Sequence, residues 1–219
     1  MSPPIVIDYY TDLLCVWAWI AQRRLDELHE QFGDQIAINH YYIDLFGDVA
    51  KRIELQWTER GSYEGFAQHV MHAVQPYDNA TVNDRLWTEV RPSTSANAHM
   101  FIKAISLSYG QDKAKAFALT LRQAFFMQAL DISQIPVLLE IAKQHGLEVN
   151  RLRTSIDNGT ALAMLLSDYR KASQQNIAGS PSFVMNNNRQ VLYGNVGYRV
   201  LHANVEELLK NPEHEASWC

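Results

Sequence analysis

Apolar positions follow two distinct periods along this chain. Short runs rich in β-branched and aromatic residues occupy residues 5–10 and 36–42, and similar runs return at 182–185 and 190–193. Such runs predict strands. Between the first two, apolar residues recur at helical spacing over residues 16–32, which predicts a helix. Two strands joined by a short helical crossover are expected to be parallel.

The middle of the chain has helical periodicity from about residue 49 to residue 173. The last two predicted strands are separated by a turn of three asparagines, which predicts a hairpin, and a final helix follows it. The order β-α-β, helical insertion, β-β-α predicts one α/β domain with a helical lid. We therefore expect a discontinuous domain, a helical insertion and a C-terminal tail, at residues 1–48 with 176–212, 49–175 and 213–219 respectively.

Composition narrows the classes of function. The chain has 219 residues, of which 47% are hydrophobic, so it can bury a full core. Its net charge of −5, with no cluster of Lys and Arg, argues against nucleic acid or anionic membranes as partners. The first residues form neither a charged signal region nor a long apolar run, so we expect a cytoplasmic protein with reduced cysteines.

Cys15 lies where the first predicted strand passes into the first predicted helix. Unpaired N–H groups and the dipole at a helix start favour an anion, and a contribution of about 1–2 kcal/mol would lower a thiol pKa by roughly one unit. We therefore expect the thiol of Cys15 to be partly ionised at neutral pH. The alternative is a buried, unreactive cysteine that packs as a small apolar residue.

The second notable segment is the turn Gly179-Ser180-Pro181-Ser182, which leads into the third predicted strand. A bond before proline can adopt the cis form. A cis proline at a strand entry would turn the backbone of Ser180 outward, leaving its N–H and C=O free for an extended ligand. An ordinary turn is the alternative interpretation.

These two segments carry a family resemblance. The chain resembles DsbA-like thioredoxin-fold oxidoreductases, especially the cytosolic branch related to 2-hydroxychromene-2-carboxylate isomerases and kappa-class glutathione transferases. The resemblance implies a thioredoxin fold with a large inserted helical subdomain, a cis Pro181 facing Cys15, and a groove between domain and insertion. It rests on segments spread in order over nearly the whole chain, at residues 12–19, 95–99, 124–126, 131–133, 139–146 and 177–183.

The sequence departs from the dithiol members at one position. These enzymes have a second cysteine three residues after the first, where this chain has Ala18. Without that neighbour, a mixed disulfide on Cys15 must wait for an outside thiol, for which glutathione is the best candidate in the cytosol. We therefore predict a thiol-disulfide oxidoreductase that acts through the single catalytic Cys15. The residues expected to bind glutathione or substrate are Trp17, Ala18, Ser180, Pro181, Asn195 and Val196.

Two other functions remain open. The isomerase and transferase relatives carry a serine near the position of Cys15 and use it to steady a glutathione thiolate, so the chain could act on a small apolar electrophile. It could also be a non-catalytic protein that binds extended peptides at the proline turn. In each catalytic case glutathione is the expected co-substrate, and its γ-glutamyl carboxylate would lie on the turn at 194–197. Homodimers occur among the relatives.

The remaining candidates have more ordinary interpretations. Cys219 could fold back as a resolving thiol, but a frayed terminus is favoured. His69 and His72 lie three apart on a predicted helix, yet no third ligand joins them, so no metal is expected. His99 could line the groove, although a satisfied histidine within the insertion is the preferred interpretation.

Overall fold

A computed structural model describes residues 3–212. Four strands, β1 (Ile5–Thr11), β2 (Ile36–Tyr42), β3 (Ser182–Met185) and β4 (Gln190–Tyr193), form one sheet in the order β2-β1-β3-β4. β1 and β2 are parallel, and β3 is antiparallel to both β1 and β4. The structure confirms the parallel crossover and the hairpin that the sequence predicts.

Nine helices occur within the described residues. The first lies between β1 and β2, seven form the insertion between β2 and β3, and the last follows β4. They are α1 (Val16–Phe32), α2 (Val49–Trp57), α3 (Ser62–Val74), α4 (Ala96–Tyr109), α5 (Gln111–Phe126), α6 (Ile135–Gln144), α7 (Val149–Asp157), α8 (Thr160–Gln174) and α9 (Tyr198–Lys210).

The expected helical run over 49–173 is interrupted between α3 and α4. Residues 75–95 contain turns and one isolated bridge, Leu86 to Val90, but no helix. Prolines at 76 and 92 remove backbone donors there. Trp87 adopts a left-handed φ of 70° and is fully buried, so this segment is held by side-chain packing instead of a helical ladder.

The central strand β1 separates two apolar layers. Ile7 and Tyr9 point to one face, where they pack with residues of α1 and α9 such as Leu28 and Leu201. Tyr10 points to the other face and packs in a cluster that includes Ala172 of α8. This alternation follows from the period of two in a strand, and it gives a sheet covered by helices on both faces.

The insertion has its own, larger core. Aromatic side chains from its helices pack around Trp87, Phe101 and Phe125, and the same cluster includes Leu13, Leu14 and Cys15 from the loop before α1. The helical insertion therefore covers the segment that carries the thiol.

The predicted α/β class with a helical insertion is confirmed, whereas the domain boundaries at 48 and 176 stay a prediction. Across residues 3–212, none of the helices combines the length and apolarity that crossing a membrane would require.

Candidate functional site

The sheet register brings the thiol loop and the proline turn together. Tyr10 near the end of β1 pairs with Ser182 at the start of β3. Because the two strands are antiparallel, the residues that follow β1 lie beside the residues that precede β3. Cys15 and Pro181 are thus neighbours in space although they are far apart in sequence.

Cys15 is the N-cap residue of α1 and has an extended backbone. Its carbonyl accepts the first helical hydrogen bonds, from the N–H groups of Ala18 and Trp19, both at 3.1 Å. Its thiol donates to the Ser180 carbonyl, with Sγ and O separated by 3.1 Å. The Ser180–Pro181 peptide bond is cis. The antiparallel pairing of β1 with β3 thus places a cysteine at a helix start against a cis-proline turn.

Side-chain hydrogen bonds fix the proline turn in place. The Ser180 Oγ accepts from the Asp12 N–H at 3.0 Å, which ties the turn to the loop after β1. The Ser182 hydroxyl donates to the Gly179 carbonyl at 2.7 Å and closes the turn internally. The carbonyl that faces Cys15 therefore has a defined position.

The structure corrects one expectation about the thiol. Cys15 is only 4% exposed. Burial raises the pKa of its thiol, and hydrogen bonds from Ser180 and from the N–H of Ala18 offset this pKa increase only in part. The expectation of a lowered pKa and an ionised thiol is wrong for this conformation, because desolvation outweighs the helix start. In this conformation Cys15 is a protonated donor.

A buried carboxylate organises the loop next to the thiol. The Asp12 side chain accepts from the N–H of Leu14 at 2.9 Å, the N–H of Phe46 at 3.0 Å and the hydroxyl of Ser95 at 2.7 Å. Burial raises the pKa of Asp12 to about 6, although these three donors lower it. The sequence analysis did not single out Asp12. Its position three residues before Cys15 was the signal that could have marked it.

His99 completes the support of this loop from α4. Its Nε2 accepts the Leu13 N–H at 3.1 Å, so its Nδ1 carries the proton and faces the Tyr169 hydroxyl at 3.4 Å. The ring stacks on Tyr42 with centroids 4.7 Å apart. Burial keeps the pKa of His99 well below its usual value. His99 is the satisfied histidine that the sequence analysis preferred, with both ring nitrogens engaged.

The residues beside Cys15 on α1 face different surroundings. Ala18 is fully buried in the position where dithiol relatives have their second cysteine. Trp17 is half-buried and lies edge-on to His69 with centroids 6.2 Å apart. Trp19 points inward, donating from Nε1 to the Thr81 carbonyl at 3.1 Å. A role of Trp17 or Ala18 in binding stays a prediction.

The turn at 194–197 is linked to the proline turn and carries a cation that the sequence analysis missed. The Gly194 N–H donates to the Pro181 carbonyl at 2.8 Å. Arg24 Nη1 donates to Asn195 Oδ1 at 2.7 Å and to the Val196 carbonyl at 2.8 Å. No local pattern signals this contact, because 171 residues separate Arg24 from Asn195. A guanidinium at this turn suits a carboxylate.

A second arginine lies near the thiol. Arg52 stacks over the Phe46 ring at 4.7 Å and donates from Nη1 to the Leu45 carbonyl at 3.3 Å. Burial lowers the pKa of Arg52, while Cys15 and Asp12 lie close enough to raise it. This cation comes from the insertion, and its contacts are with residues 45 and 46, beside the backbone N–H that Asp12 accepts from. Among residues 3–212, no three metal-ligating side chains gather as a metal site would need, and Cys219 lies outside the described residues.

Comparisons with known proteins agree with this architecture. The sequence model of the DSBA-like thioredoxin domain matches residues 6–206. The ClpXP adapter protein SpxH of Halalkalibacterium halodurans is 23% identical over 189 residues, a match that covers 84% of this chain and 59% of SpxH. The chain therefore spans less than two thirds of the length of this curated relative.

Two solved structures share the fold. The cytosolic disulfide reductase DsbM from Pseudomonas aeruginosa superposes with a TM-score of 0.69 at 19% identity, covering 94% of this chain and 98% of DsbM. DsbM has also been solved with GSH, and that structure gives a TM-score of 0.66. A 2-hydroxychromene-2-carboxylate isomerase gives a TM-score of 0.63 at 16% identity, covering 97% and 100% of the two chains. The predicted family is confirmed, and the chain belongs to the DSBA-like thioredoxin domain family.

Proposed function

We propose that this protein is a glutathione-linked thiol-disulfide oxidoreductase of the cytosol that acts through Cys15 alone. One observation carries the proposal. The Cys15 Sγ lies 3.1 Å from the Ser180 carbonyl at the cis Ser180–Pro181 bond, and the residue three positions later is Ala18. The site thus combines one thiol with a backbone segment able to hold an extended ligand, and α1 supplies no second thiol.

The reaction consists of two thiol exchanges. The thiolate of Cys15 attacks the glutathione sulfur of a mixed disulfide, RS–SG; the S–S bond breaks, RS⁻ leaves, and Cys15–S–SG forms. A glutathione thiolate then attacks the Cys15-bound glutathione sulfur, giving oxidised glutathione and the Cys15 thiolate. The sum is RS–SG plus GSH giving RSH plus GSSG, so electrons and protons balance.

The raised pKa of Cys15 limits the rate of the first exchange. The attacking species is the thiolate, so the thiol proton must leave to solvent before attack. Ionisation ends the hydrogen bond that the thiol donates to the Ser180 carbonyl, while Ser180 and the N–H of Ala18 lower the thiol pKa and so favour the thiolate. A thiol of high pKa is also a stronger nucleophile when ionised. We therefore expect exchange at neutral pH that accelerates as pH rises.

Two features support glutathione as the partner. Arg24 lies on the turn at 194–197, which is bonded to Pro181, and its guanidinium would pair with a glutathione carboxylate. Ser180 would supply backbone groups to the peptide-like body of glutathione, as in a strand addition. The related fold of DsbM has been solved with GSH. Asn195 and Val196 would then act by holding Arg24 in place.

The test is glutathione-dependent turnover of a glutathionylated cysteine peptide, coupled to glutathione reductase and followed by NADPH consumption. We expect the wild-type chain to turn over and Cys15→Ser to lose more than about 99% of this activity. The Cys219→Ser variant should retain it. In the Cys219→Ser background, intact mass after incubation with oxidised glutathione should show one glutathionyl group, and the added substitution Cys15→Ser should abolish it. Equal turnover by Cys15→Ser would refute the proposal.

A second function is favoured by the burial of the thiol. A protonated Cys15 that is 4% exposed could serve as a hydrogen-bond donor to a bound glutathione thiolate. This use would fit an isomerase or transferase acting on a small apolar electrophile. Conjugation of glutathione to 1-chloro-2,4-dinitrobenzene distinguishes the two functions. Activity that persists in Cys15→Ser, whose hydroxyl can also donate, supports the second function and argues against the first.

A further inference from the structure

A cleft of about 240 Å³ lies between α8 and two chain segments that flank the loop of Cys15. One segment follows β2, at residues 43–45, and the other leads into the proline turn, at residues 177–178. The first is tied to the end of β1, because the Ile43 N–H donates to the Thr11 carbonyl at 3.0 Å. The second ends two residues before Ser180, whose carbonyl accepts from the thiol of Cys15. The cleft therefore adjoins the site around Cys15.

The lining of this cleft is mainly aliphatic. Ile43 and Leu45 come from the segment after β2, and Ile177 and Ala178 come from the segment before the proline turn. Ile43, Ala172 and Ile177 belong to one buried cluster, against which Leu45 also packs. Surface of this kind favours an apolar group of a ligand.

Asp44 is the only charged residue among those that line the cleft, and it is exposed. Two other charges close by are engaged elsewhere. Arg52 Nη1 donates to the Leu45 carbonyl at 3.3 Å. Asp168, the residue before Tyr169, pairs with Lys103 at 2.5 Å. The cleft therefore suits an uncharged ligand group, and its acidic rim disfavours an acidic one.

Tyr169 brings a hydrogen-bond donor to this lining. Its oxygen faces Nδ1 of His99 at 3.4 Å, and that nitrogen carries the proton because Nε2 accepts the Leu13 N–H. The Tyr169 oxygen thus accepts from His99, and its own O–H has no acceptor among residues 3–212. Burial raises the pKa of Tyr169, and Asp12 and Asp44 raise it further, so the hydroxyl stays protonated. A hydroxyl that accepts one hydrogen bond is a stronger donor in the next.

We propose that this cleft binds the peptide part of the disulfide substrate, where Tyr169 donates to a peptide carbonyl and the aliphatic walls take an apolar side chain beside the glutathionylated cysteine. The inference rests on the proposed function of Cys15. The turn at 194–197, where Arg24 lies, is bonded to Pro181, whereas the cleft adjoins the residues before Ser180. The glutathione and peptide halves of the mixed disulfide would therefore bind on the two sides of the proline turn.

Turnover of three substrates tests this inference in the assay coupled to glutathione reductase. They are a glutathionylated pentapeptide with leucine on both sides of the cysteine, the same pentapeptide with aspartate in place of leucine, and the mixed disulfide of free cysteine with glutathione. We expect kcat/KM for the leucine peptide to exceed that for the aspartate peptide about tenfold or more. Tyr169→Phe should raise KM for the leucine peptide about fivefold with kcat unchanged, because one hydrogen bond to the bound peptide is lost.

The mixed disulfide of free cysteine separates substrate binding from structural support. It has no flanking residue to place in the cleft, so Tyr169→Phe should turn it over as the wild type does. A purely structural role of Tyr169, through His99 and the loop of Cys15, would slow all three substrates alike. The matched control is Tyr109→Phe. The Tyr109 hydroxyl also joins two parts of the insertion, by accepting the Glu148 N–H at 2.9 Å, and its loss should leave all three KM values unchanged.

Ser173→Trp keeps the inference falsifiable if Tyr169→Phe does not fold. Ser173 is exposed and lines the cleft, so the larger side chain should narrow it and raise KM for the leucine peptide about tenfold. Gln174→Trp, at the next exposed residue and outside the lining, should match the wild type. Equal losses for the leucine peptide and the cysteine disulfide, an unchanged KM for the leucine peptide, or equal kcat/KM for the leucine and aspartate peptides would overturn the inference. Equal turnover by Cys15→Ser and wild type would instead refute the proposed function.

Discussion

The buried Asp12 carboxyl should make the stability of this protein fall as pH rises from mildly acidic to neutral. Asp12 is 0% exposed, and burial raises its pKa from 3.8 to about 6. In the unfolded chain the carboxyl is hydrated and returns to the lower pKa. Between these two values the folded state binds more protons than the unfolded state, so the free energy of unfolding decreases with pH.

The size of this effect follows from the pKa difference. A difference of about two units at 1.36 kcal/mol per unit gives about 3 kcal/mol. The stabilisation is fully present below about pH 4 and is lost as pH rises through about 6. Asp12→Asn removes the titrating group. It also removes the acceptor for one of its donors, such as the Phe46 N–H, at a pH-independent cost of about 1–3 kcal/mol.

Urea unfolding of the wild type and Asp12→Asn between about pH 4 and pH 7.5 checks this prediction. The difference in unfolding free energy between the two proteins should shift by about 3 kcal/mol across that range, in favour of the variant at the higher pH. Asp34→Asn, at an exposed carboxylate, should keep the wild-type profile. A constant difference between wild type and Asp12→Asn would show that Asp12 has an ordinary pKa and would refute the reasoning.

Three further predictions concern the thiol, the turn and the insertion. In a variant whose sole cysteine is Cys15, iodoacetamide should react more slowly at pH 7 than with free cysteine and accelerate as pH rises, because burial raises the thiol pKa; a faster reaction at pH 7 would contradict this. Arg24→Met should slow glutathionylation by oxidised glutathione several-fold, whereas the neighbouring Arg23→Met should not, as mass spectrometry of the adduct will show. Lys103→Met should lower the unfolding free energy by about 3–5 kcal/mol, because Lys103 pairs with the buried Asp168 at 2.5 Å. The double variant with Asp168→Leu should recover much of that loss in urea unfolding; no recovery would exclude the ion pair as the cause.

Local sequence patterns were sufficient for the four strands and for α1, but not for the pairing of β1 with β3. The strands are short β-branched runs with turn residues beside them, and α1 repeats apolar residues over 17 positions before Gly33. The helices α2 and α7 are each nine residues long. In such short helices the apolar positions repeat only a few times. The sequence therefore predicted a helical region there but not where the individual helices begin and end. The segment 75–95 was missed because its structure depends on burying Trp87 against partners in other helices.

The site was predictable where the family resemblance covers it and unpredictable where it depends on long-range side-chain packing. The proximity of Cys15 and Pro181 follows from the antiparallel pairing of β1 with β3. The sequence alone did not predict this pairing, and the expectation that Pro181 faces Cys15 came from the family resemblance. The burial of Cys15 depends instead on residues of the insertion that pack over its loop. The contacts of Arg24 and Tyr169 span 171 and 70 residues. No spacing in the sequence encodes such pairs, so both residues were missed.

Ala18 offers the sharpest test of the single-thiol mechanism. Residues three apart in a helix place their Cα atoms about 5–5.5 Å apart, within the range that a disulfide spans. Ala18→Cys therefore supplies the resolving thiol that the dithiol enzymes of this family use, at an overpacking cost of about 1–3 kcal/mol because Ala18 is fully buried.

All variants of this test carry Cys219→Ser, so that Cys15 is the only native thiol. After incubation with oxidised glutathione, the protein with Ala18 should keep one glutathionyl group on Cys15. Ala18→Cys should instead lose two hydrogens and carry no adduct, because its second thiol attacks at high effective concentration. Ala18→Ser adds a similar volume without a thiol and should keep the adduct as the wild type does. An adduct that persists on Ala18→Cys would mean that α1 does not present residue 18 to the sulfur of Cys15. The absence of a cysteine there would then not explain a dependence on external glutathione.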